Sequence, residues 1–285
     1  MPAYENRYWW SKDGLRLHYR DYAGPADRPP ILCLPGLTRN ARDFEGVAAR
    51  LAPDWRLICV DLRGRGDSAY AKDPMTYVPL TYLQDIEALL RELALERFIS
   101  FGTSLGGLLT ALLASAGSER IAGALLNDIG PEIEEGGLER IKTYVGRSQS
   151  WPTWLHAARH FQTVQREIFP AWKLDAWLIY AKRLCRLTPN GRITFDYDMR
   201  IAEPFRLPGG ATGFDTWGAF AALSGRPSLL VRGDRSDLLS EATAERMRAE
   251  IPGLELVTVP RTGHAPTLDE PESITAIDRL LARIA

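Results

Sequence analysis

The sequence predicts an α/β protein built on a mostly parallel sheet, and two observations support this fold class. Several short apolar runs show no alternation of apolar and polar residues, which is typical of strands covered on both faces. Amphipathic helical patterns separate these runs along the chain, and alternating strands and helices build parallel sheets through right-handed crossovers. We therefore expect a sheet with helices packed on both of its faces.

The candidate elements follow one another in chain order. Alternation of apolar and polar residues over 15–20 predicts a half-exposed strand near a sheet edge. Continuous apolar runs predict buried strands at 31–34, 57–60, 98–101, 124–126, 229–231 and 256–259. Apolar residues at helical spacing predict helices at 41–51, 82–93, 105–116, 242–251 and 274–284.

Residues 131–217 interrupt this rhythm. The stretch has no strong strand pattern, shows helical spacing around 172–184 and is rich in tryptophan. The sequence therefore predicts a mainly helical cap at 131–217, inserted between the two parts of a core domain at 1–130 and 218–285. Two interpretations of its tryptophans stay open: they fill the insertion's own small core, or they contact a substrate. For substrate contact the candidates are Trp151, Trp154 and Trp217.

Composition excludes several classes of protein. The 285 residues include 35 basic and 36 acidic side chains, and this lack of a basic excess argues against nucleic-acid binding. The longest mostly apolar stretch, 105–116, is far shorter than the ~20 residues that a membrane-spanning helix needs. The N-terminus has no apolar signal segment, and the three cysteines form no zinc-binding pattern. We expect a cytoplasmic protein with no membrane association.

The motif with the clearest chemistry is Gly102-Thr103-Ser104-Leu105-Gly106. It lies between a predicted buried strand and a predicted helix, which is the context of a G-x-S-x-G nucleophile turn. In that turn the serine hydroxyl stands above the sheet at a helix N-terminus, where backbone N–H groups point at developing negative charge. Ser104 is therefore the predicted nucleophile.

A serine nucleophile needs a base, and His264 is the best candidate among four histidines. It follows the last predicted strand, in a loop at the edge where open α/β sheets bind their ligands. His156 and His160 have helical i, i+4 spacing, but the segment between them lacks the glutamate of a zinc-binding HExxH motif. We therefore expect no metal site there.

The acid that orients the histidine is expected after a strand, and three aspartates qualify. Asp237 is preferred, because it lies deep in the loop after the strand at 229–231 and precedes two leucines that would bury it. A buried carboxylate holds the imidazole in one tautomer and stabilises the imidazolium. Asp234 in the same loop and Asp128 after the strand at 124–126 remain alternatives.

Taken together, these motifs resemble the α/β-hydrolase superfamily, in its capped branch with a serine nucleophile. The resemblance rests on the serine turn, the Gly-Asp-x-x-Asp loop at 233–237, the Gly-His pair at 263–264, the segment Asp61–Ser68 and Leu34-Pro35-Gly36-Leu37. It implies an eight-stranded, mostly parallel sheet, with 131–217 at the place of the family's cap. It also implies an oxyanion hole made by the backbone N–H groups of Leu37 and Leu105. The family usually has His-Gly where this chain has Pro35-Gly36, a difference that leaves backbone donors in place.

The predicted function is hydrolysis of a small, largely apolar ester, lactone or related carbonyl compound through an acyl-enzyme, with no cofactor or metal. Esterases, lactonases, carbon–carbon bond hydrolases of aromatic degradation and cofactor-free haloperoxidases belong to the branch that the chain resembles. The alternatives are a carbon–carbon bond hydrolase and a ligand receptor with low turnover. A dinucleotide-binding reading of Gly64-Arg65-Gly66 is disfavoured, because prolines at 74 and 79 interrupt the helix it would need.

Overall fold

A computed structural model describes residues 2–204 and 215–284 of the chain. The predicted insertion at 131–217 therefore includes residues 205–214, which lie outside the described part. None of the described helices is both long enough and apolar enough to cross a bilayer.

The main sheet has eight strands: β1 Glu5–Trp10, β2 Arg16–Tyr22, β3 Ile31–Leu34, β4 Leu57–Asp61, β5 Phe98–Thr103, β6 Ile121–Asn127, β10 Ser228–Gly233 and β11 Leu254–Val259. Their order across the sheet is β1-β2-β4-β3-β5-β6-β10-β11. Strands β1 and β2 pair antiparallel, β2 also pairs antiparallel with β4, and all other pairs are parallel. The predicted α/β class and mostly parallel sheet are confirmed.

Helices cover both faces of this sheet, and each layer has its own apolar cluster. One cluster joins the sheet to α2 Pro79–Glu92, α3 Leu105–Gly117, α7 Thr216–Ala221 and α8 Glu241–Glu250. The other joins it to α1 Glu45–Leu51 and α9 Pro271–Ala282. The predicted helix at 41–51 begins as a 3₁₀ turn over Ala41–Phe44, and the side chain of Asn40 caps that turn.

The first strand, β1, has no counterpart among the sequence predictions. Five of its six residues are not buried, and only Trp9 packs into the core. The strand ends in three consecutive aromatic residues, Tyr8 to Trp10, but its first half is polar and no alternation runs through it, so the sequence patterns do not mark its extent.

The segment between β6 and α7 contains helices α4 Glu135–Tyr144, α5 Trp154–Gln165 and α6 Leu174–Leu184. It also contains a three-stranded antiparallel sheet in the order β7-β9-β8, formed by β7 Ser150–Trp151, β8 Cys185–Leu187 and β9 Ile193–Phe195. The expectation of a mainly helical insertion therefore misses this small sheet, because strands of two or three residues are too short to show a periodicity. α5, α6 and this small sheet enclose an apolar cluster of their own.

The turn from β5 into α3 depends on very close packing of backbone against backbone. A Cβ added at Gly102 would lie 2.3 Å from the carbonyl oxygen of Gly106. A Cβ added at Gly106 would lie 2.0 Å from the carbonyl oxygen of Leu34 in the neighbouring strand β3. Only residues without a side chain allow helix α3 to begin this close to the sheet.

We therefore expect Gly106→Ala to destabilise the protein by about 3 kcal/mol, the upper end of the usual cost of overpacking, because backbone atoms cannot move aside. Gly136→Ala is the matched control: this helical glycine in α4 has no atom within 4 Å of the added Cβ. The control should be neutral or more stable by up to about 1 kcal/mol. Urea unfolding of both variants measures the difference, and equal stabilities would contradict the packing argument.

Candidate active site

Ser104 lies at the turn between β5 and α3, as the sequence predicts. Its backbone has φ 51° and ψ −114°, a conformation that side chains rarely adopt. Its N–H donates to the carbonyl of Asn127 at the end of β6, over 2.9 Å. The turn therefore fixes the serine at the carboxyl edge of the parallel strands, with its side chain directed toward the neighbouring loops.

His264 brings the predicted nucleophile and a carboxylate into one line. Its Nε2 lies 3.0 Å from the Oγ of Ser104, and its Nδ1 lies 2.7 Å from a carboxylate oxygen of Asp128. Because a carboxylate only accepts hydrogen bonds, Nδ1 carries the proton and Nε2 is left to accept the proton of the serine hydroxyl. This arrangement can remove the serine proton as an electrophile is attacked.

The carboxylate on His264 is that of Asp128, one of the two alternatives, and not that of the preferred Asp237. The Asp237 side chain instead forms a two-point ion pair with Arg140, one contact being 2.8 Å. Burial acts to raise the pKa of Asp237, but the hydrogen bonds and charge of Arg140 outweigh it and lower that pKa. Asp234, the other alternative, accepts from the N–H of Thr262 and braces the loop that carries the histidine.

The loop at 233–237 was expected to supply the acid. It instead supplies hydrogen-bond donors to Asp128. One oxygen of Asp128 accepts from the N–H of Gly233 at 2.9 Å, and the other accepts from the hydroxyl of Ser236 at 2.6 Å as well as from His264. The Asp128 side chain is completely buried, so these donors replace its lost hydration. Its φ of 57° is one that aspartate tolerates better than most residues.

Two backbone N–H groups beside Ser104 are available to an oxyanion. Leu105 is the first residue of α3, where an N–H has no partner within its helix, and Leu37 lies in the loop after β3. Within 2–204 and 215–284, neither N–H donates a hydrogen bond to another group. These are the two donors that the family resemblance implies.

Arg65 holds the Leu37 peptide in place, a role that sequence reasoning missed. Its Nε donates to the carbonyl oxygen of Leu37 over 2.8 Å, and its Nη1 donates to the carbonyl of Arg63. The guanidinium is fully buried and lies over the rings of Tyr77 and Tyr82. The segment 62–69 is thus a loop braced against the site, and no helix begins in it.

The described residues contain one group of side chains with metal-ligand spacing, His18, Asp61 and Asp67. The oxygens of Asp61 already accept from His18 and from the backbone N–H groups of Asp67 and Ala41. This cluster therefore ties together the loops that follow β3 and β4. In the His156–His160 pair, Nδ1 of His156 lies 2.8 Å from the hydroxyl of Thr153, and the ring of His160 packs against Trp151.

A cavity of about 460 Å³ opens above Ser104, which is a usual size for a small-molecule site. The segment between β6 and α7 forms its roof and contributes aromatic side chains: Tyr144, Phe161, Phe169, Tyr180, Phe195 and Tyr197. Leu37 and His264 also line it. Backbone hydrogen bonds attach this roof to the core on two sides, from Gly263 to Ile168 and from Gly66 to Asp196.

The tryptophans proposed for substrate contact do not line this cavity, so that expectation is corrected. Trp151 and Trp154 belong to the apolar cluster of the insertion. Trp217 lies in α7, where its ring packs under Arg246 at 3.8 Å and its indole N–H donates to Glu132. Phenylalanines and tyrosines line the cavity in their place, and two of them, Phe161 and Phe169, also belong to the cluster of the insertion.

Known proteins that are similar to this chain identify its family. The profile of the alpha/beta hydrolase family matches residues 31–277. The chain is 34% identical to the 3-hydroxybutyrate-oligomer hydrolase of Cupriavidus necator, over 91% of this chain and 90% of that protein. It is 28% identical to the 2-(acetamidomethylene)succinate hydrolase of Mesorhizobium japonicum, over 86% of this chain and 84% of that one.

The fold also matches a solved structure closely. The crystal structure of an alpha/beta hydrolase from Novosphingobium aromaticivorans is 61% identical, covers 99% of both chains and superposes with a TM-score of 0.96. The family profile spans most of the chain, and both curated relatives match nearly its full length and are named hydrolases. On this evidence, the chain belongs to the α/β-hydrolase family and is a hydrolase.

Proposed function

We propose that the protein hydrolyses small carboxylic esters through an acyl-enzyme, with Ser104 as nucleophile, His264 as base and Asp128 as the acid that orients it. The observation that carries this proposal is the unbroken line of hydrogen bonds from Asp128 through His264 to Ser104. It ends under a cavity of small-molecule size. No step of the proposed reaction requires a cofactor or a metal ion.

The reaction follows from the positions of the atoms. As the Ser104 Oγ bonds to the ester carbonyl carbon, its proton passes to Nε2 of His264, and the carbonyl oxygen takes up negative charge. The N–H groups of Leu37 and Leu105 stabilise that charge. The C–O bond then breaks, and the leaving alcohol takes the proton from His264. Water, deprotonated by His264, attacks the acyl carbon. As the bond from that carbon to Ser104 Oγ breaks, His264 returns the proton to Oγ and the acid product leaves.

The class of ester is suggested by the first curated relative, which is named as a hydrolase of 3-hydroxybutyrate oligomers. The cavity volume of about 460 Å³ suits an ester of that modest size. The linear dimer of 3-hydroxybutyrate and p-nitrophenyl butyrate are therefore suitable first substrates.

Ser104→Ala tests the proposal as a whole. We expect the wild type to hydrolyse both esters and the variant to lose at least about 10³-fold in kcat, because no other group can form the acyl-enzyme. A fluorophosphonate should add to Ser104 of the wild type and not to the variant, as mass spectrometry of peptides would show. Labelling of Ser104 without measurable turnover would favour the receptor alternative, and unchanged turnover by the variant would refute the proposal.

Asp128→Asn and Asp237→Asn form a matched pair that tests the choice of acid. Asparagine at 128 offers an N–H where His264 needs an acceptor, so we expect kcat to fall about 10⁴-fold. Asparagine at 237 changes only a half-exposed ion pair with Arg140, and kcat should change by at most about threefold. The opposite ranking of the two variants in steady-state kinetics would return the role to Asp237.

Arg65→Lys tests the bracing of the Leu37 peptide. A lysine ammonium cannot reproduce the two directed contacts of the guanidinium, so the oxyanion donor shifts and kcat should fall about tenfold or more with little change in KM. Arg63→Lys is the control: Arg63 is equally buried in the same loop but pairs with Asp85 and Asp13. If both variants lose stability and kcat alike, Arg65 acts only through the fold.

A further inference from the structure

The charged side chains around the cavity are mostly of one sign. Asp43 is the one carboxylate among the lining residues of the described chain. Four arginines line the same space: Arg39, Arg140, Arg147 and Arg183. A cavity with this balance attracts a negatively charged ligand, because its low-dielectric walls focus the field of the guanidinium groups.

Ion pairs cancel most of this charge. Arg39 pairs with Asp43, Arg140 pairs with Asp237, and Arg183 pairs with Asp269 at 3.3 Å. Arg147 is exposed and has no carboxylate within ion-pair distance in the described part of the chain. Of the four arginines, Arg147 thus keeps a positive charge that no carboxylate of residues 2–204 and 215–284 neutralises.

Arg39 offers hydrogen-bond donors as well as charge. Its Nε and Nη2 each donate to Asp43 at 2.6 Å, and the guanidinium lies over the ring of Tyr180 at 4.8 Å. A guanidinium has five N–H donors, and the two that are directed at Asp43 leave others for a further acceptor. Asp43 and the Tyr180 ring thus fix the Arg39 guanidinium in one orientation. Its other N–H groups are left to bind a ligand.

The Arg39 side chain starts close to the nucleophile. The position that a Cβ on Gly36 would take lies 3.3 Å from Cγ of Arg39 and 3.7 Å from Cβ of Ser104. Arg39 also follows the oxyanion donor Leu37 by two residues, in a turn closed by its own N–H to Gly36. Arg39 and Ser104 therefore line the same cavity from neighbouring positions, so one small ligand can contact both side chains.

We propose that Arg39, assisted by the charge of Arg147, binds a carboxylate of the substrate a few atoms from the scissile bond, so that the preferred substrates are ester acids. This inference rests on the proposed ester hydrolysis and adds the substrate's second functional group. The planar guanidinium suits a carboxylate, which accepts two parallel N–H groups, and such charge-assisted contacts are among the stronger hydrogen bonds. The aromatic side chains of the cavity contact the apolar atoms between the two groups.

The test compares hydrolysis of the internal ester, measured as release of free 3-hydroxybutyrate, in two substrates that differ by one charge and one methyl group: the linear dimer of 3-hydroxybutyrate and the methyl ester of the same dimer. We expect the wild type to prefer the free acid by about 10- to 100-fold in kcat/KM, the range that one charge-assisted hydrogen bond supplies. In Arg39→Gln that ratio should fall about tenfold or more, mainly through KM for the acid. Arg147→Gln should lower it less, because Arg147 contributes charge without a fixed orientation.

Arg159→Gln is the matched control. Arg159 lies in α5 of the same insertion, is exposed and does not line the cavity, so the variant removes one charge at a distance. It should keep the wild-type ratio. If Arg39→Gln does not fold, the exposed Arg147 still provides a folded variant. An unchanged ratio in a folded Arg39→Gln, or a wild type that prefers the methyl ester, would overturn the proposal.

Binding to the Ser104→Ala background separates this inference from the proposed function. Calorimetry should show tighter binding of the dimer acid than of its methyl ester, and the preference should disappear when Arg39→Gln is added. Loss of turnover in Ser104→Ala together with equal binding of acid and ester would leave ester hydrolysis standing and reject the carboxylate site. Selective binding of the acid by a wild type without turnover would support the carboxylate site and reject hydrolysis.

Discussion

The whole site depends on one backbone constraint, the close crossing of helix α3 over the ends of β3 and β5. The crossing is possible because Gly102 and Gly106 have no side chains where the two backbones meet. It places Ser104 in a left-handed conformation that the surrounding contacts have to maintain, including its N–H bond to Asn127. Packing of the sheet offsets the strain of this turn. The turn in return places the serine hydroxyl clear of its own helix, at the floor of the cavity.

The remaining polar groups of the site are held by loops from neighbouring strands, and these loops supply hydrogen-bond partners to buried atoms. Asp128 is buried without hydration, and it remains a good acceptor because Gly233, Ser236 and His264 all donate to it. The Leu37 peptide is oriented from behind by the buried Arg65. The groups proposed to act on the substrate thus depend on partners that never touch it, and that dependence is typical of preorganised sites.

The segment over the site uses some of its side chains for two purposes. Its tryptophans and the small antiparallel sheet build an apolar cluster, and Phe161 and Phe169 belong both to that cluster and to the cavity wall. Three arginines of the segment also line the cavity, and backbone hydrogen bonds to Gly66 and Gly263 attach the segment to the core. The segment therefore presents both apolar surface and positive charge to one small space.

The sequence by itself determined the buried strands, most core helices, the nucleophile turn and the candidate base, because each depends on a local pattern of periodicity or turn chemistry. Only the tertiary structure decided the rest. Asp128, Asp234 and Asp237 all follow strands. The path of each loop in the folded chain decides which carboxylate reaches His264. No local sequence pattern marks the short strands β7 to β9 or the exposed strand β1. The same holds for the choice of side chains that line the cavity. Their environment is set by contacts between segments far apart in the chain, which no pattern of neighbouring residues encodes.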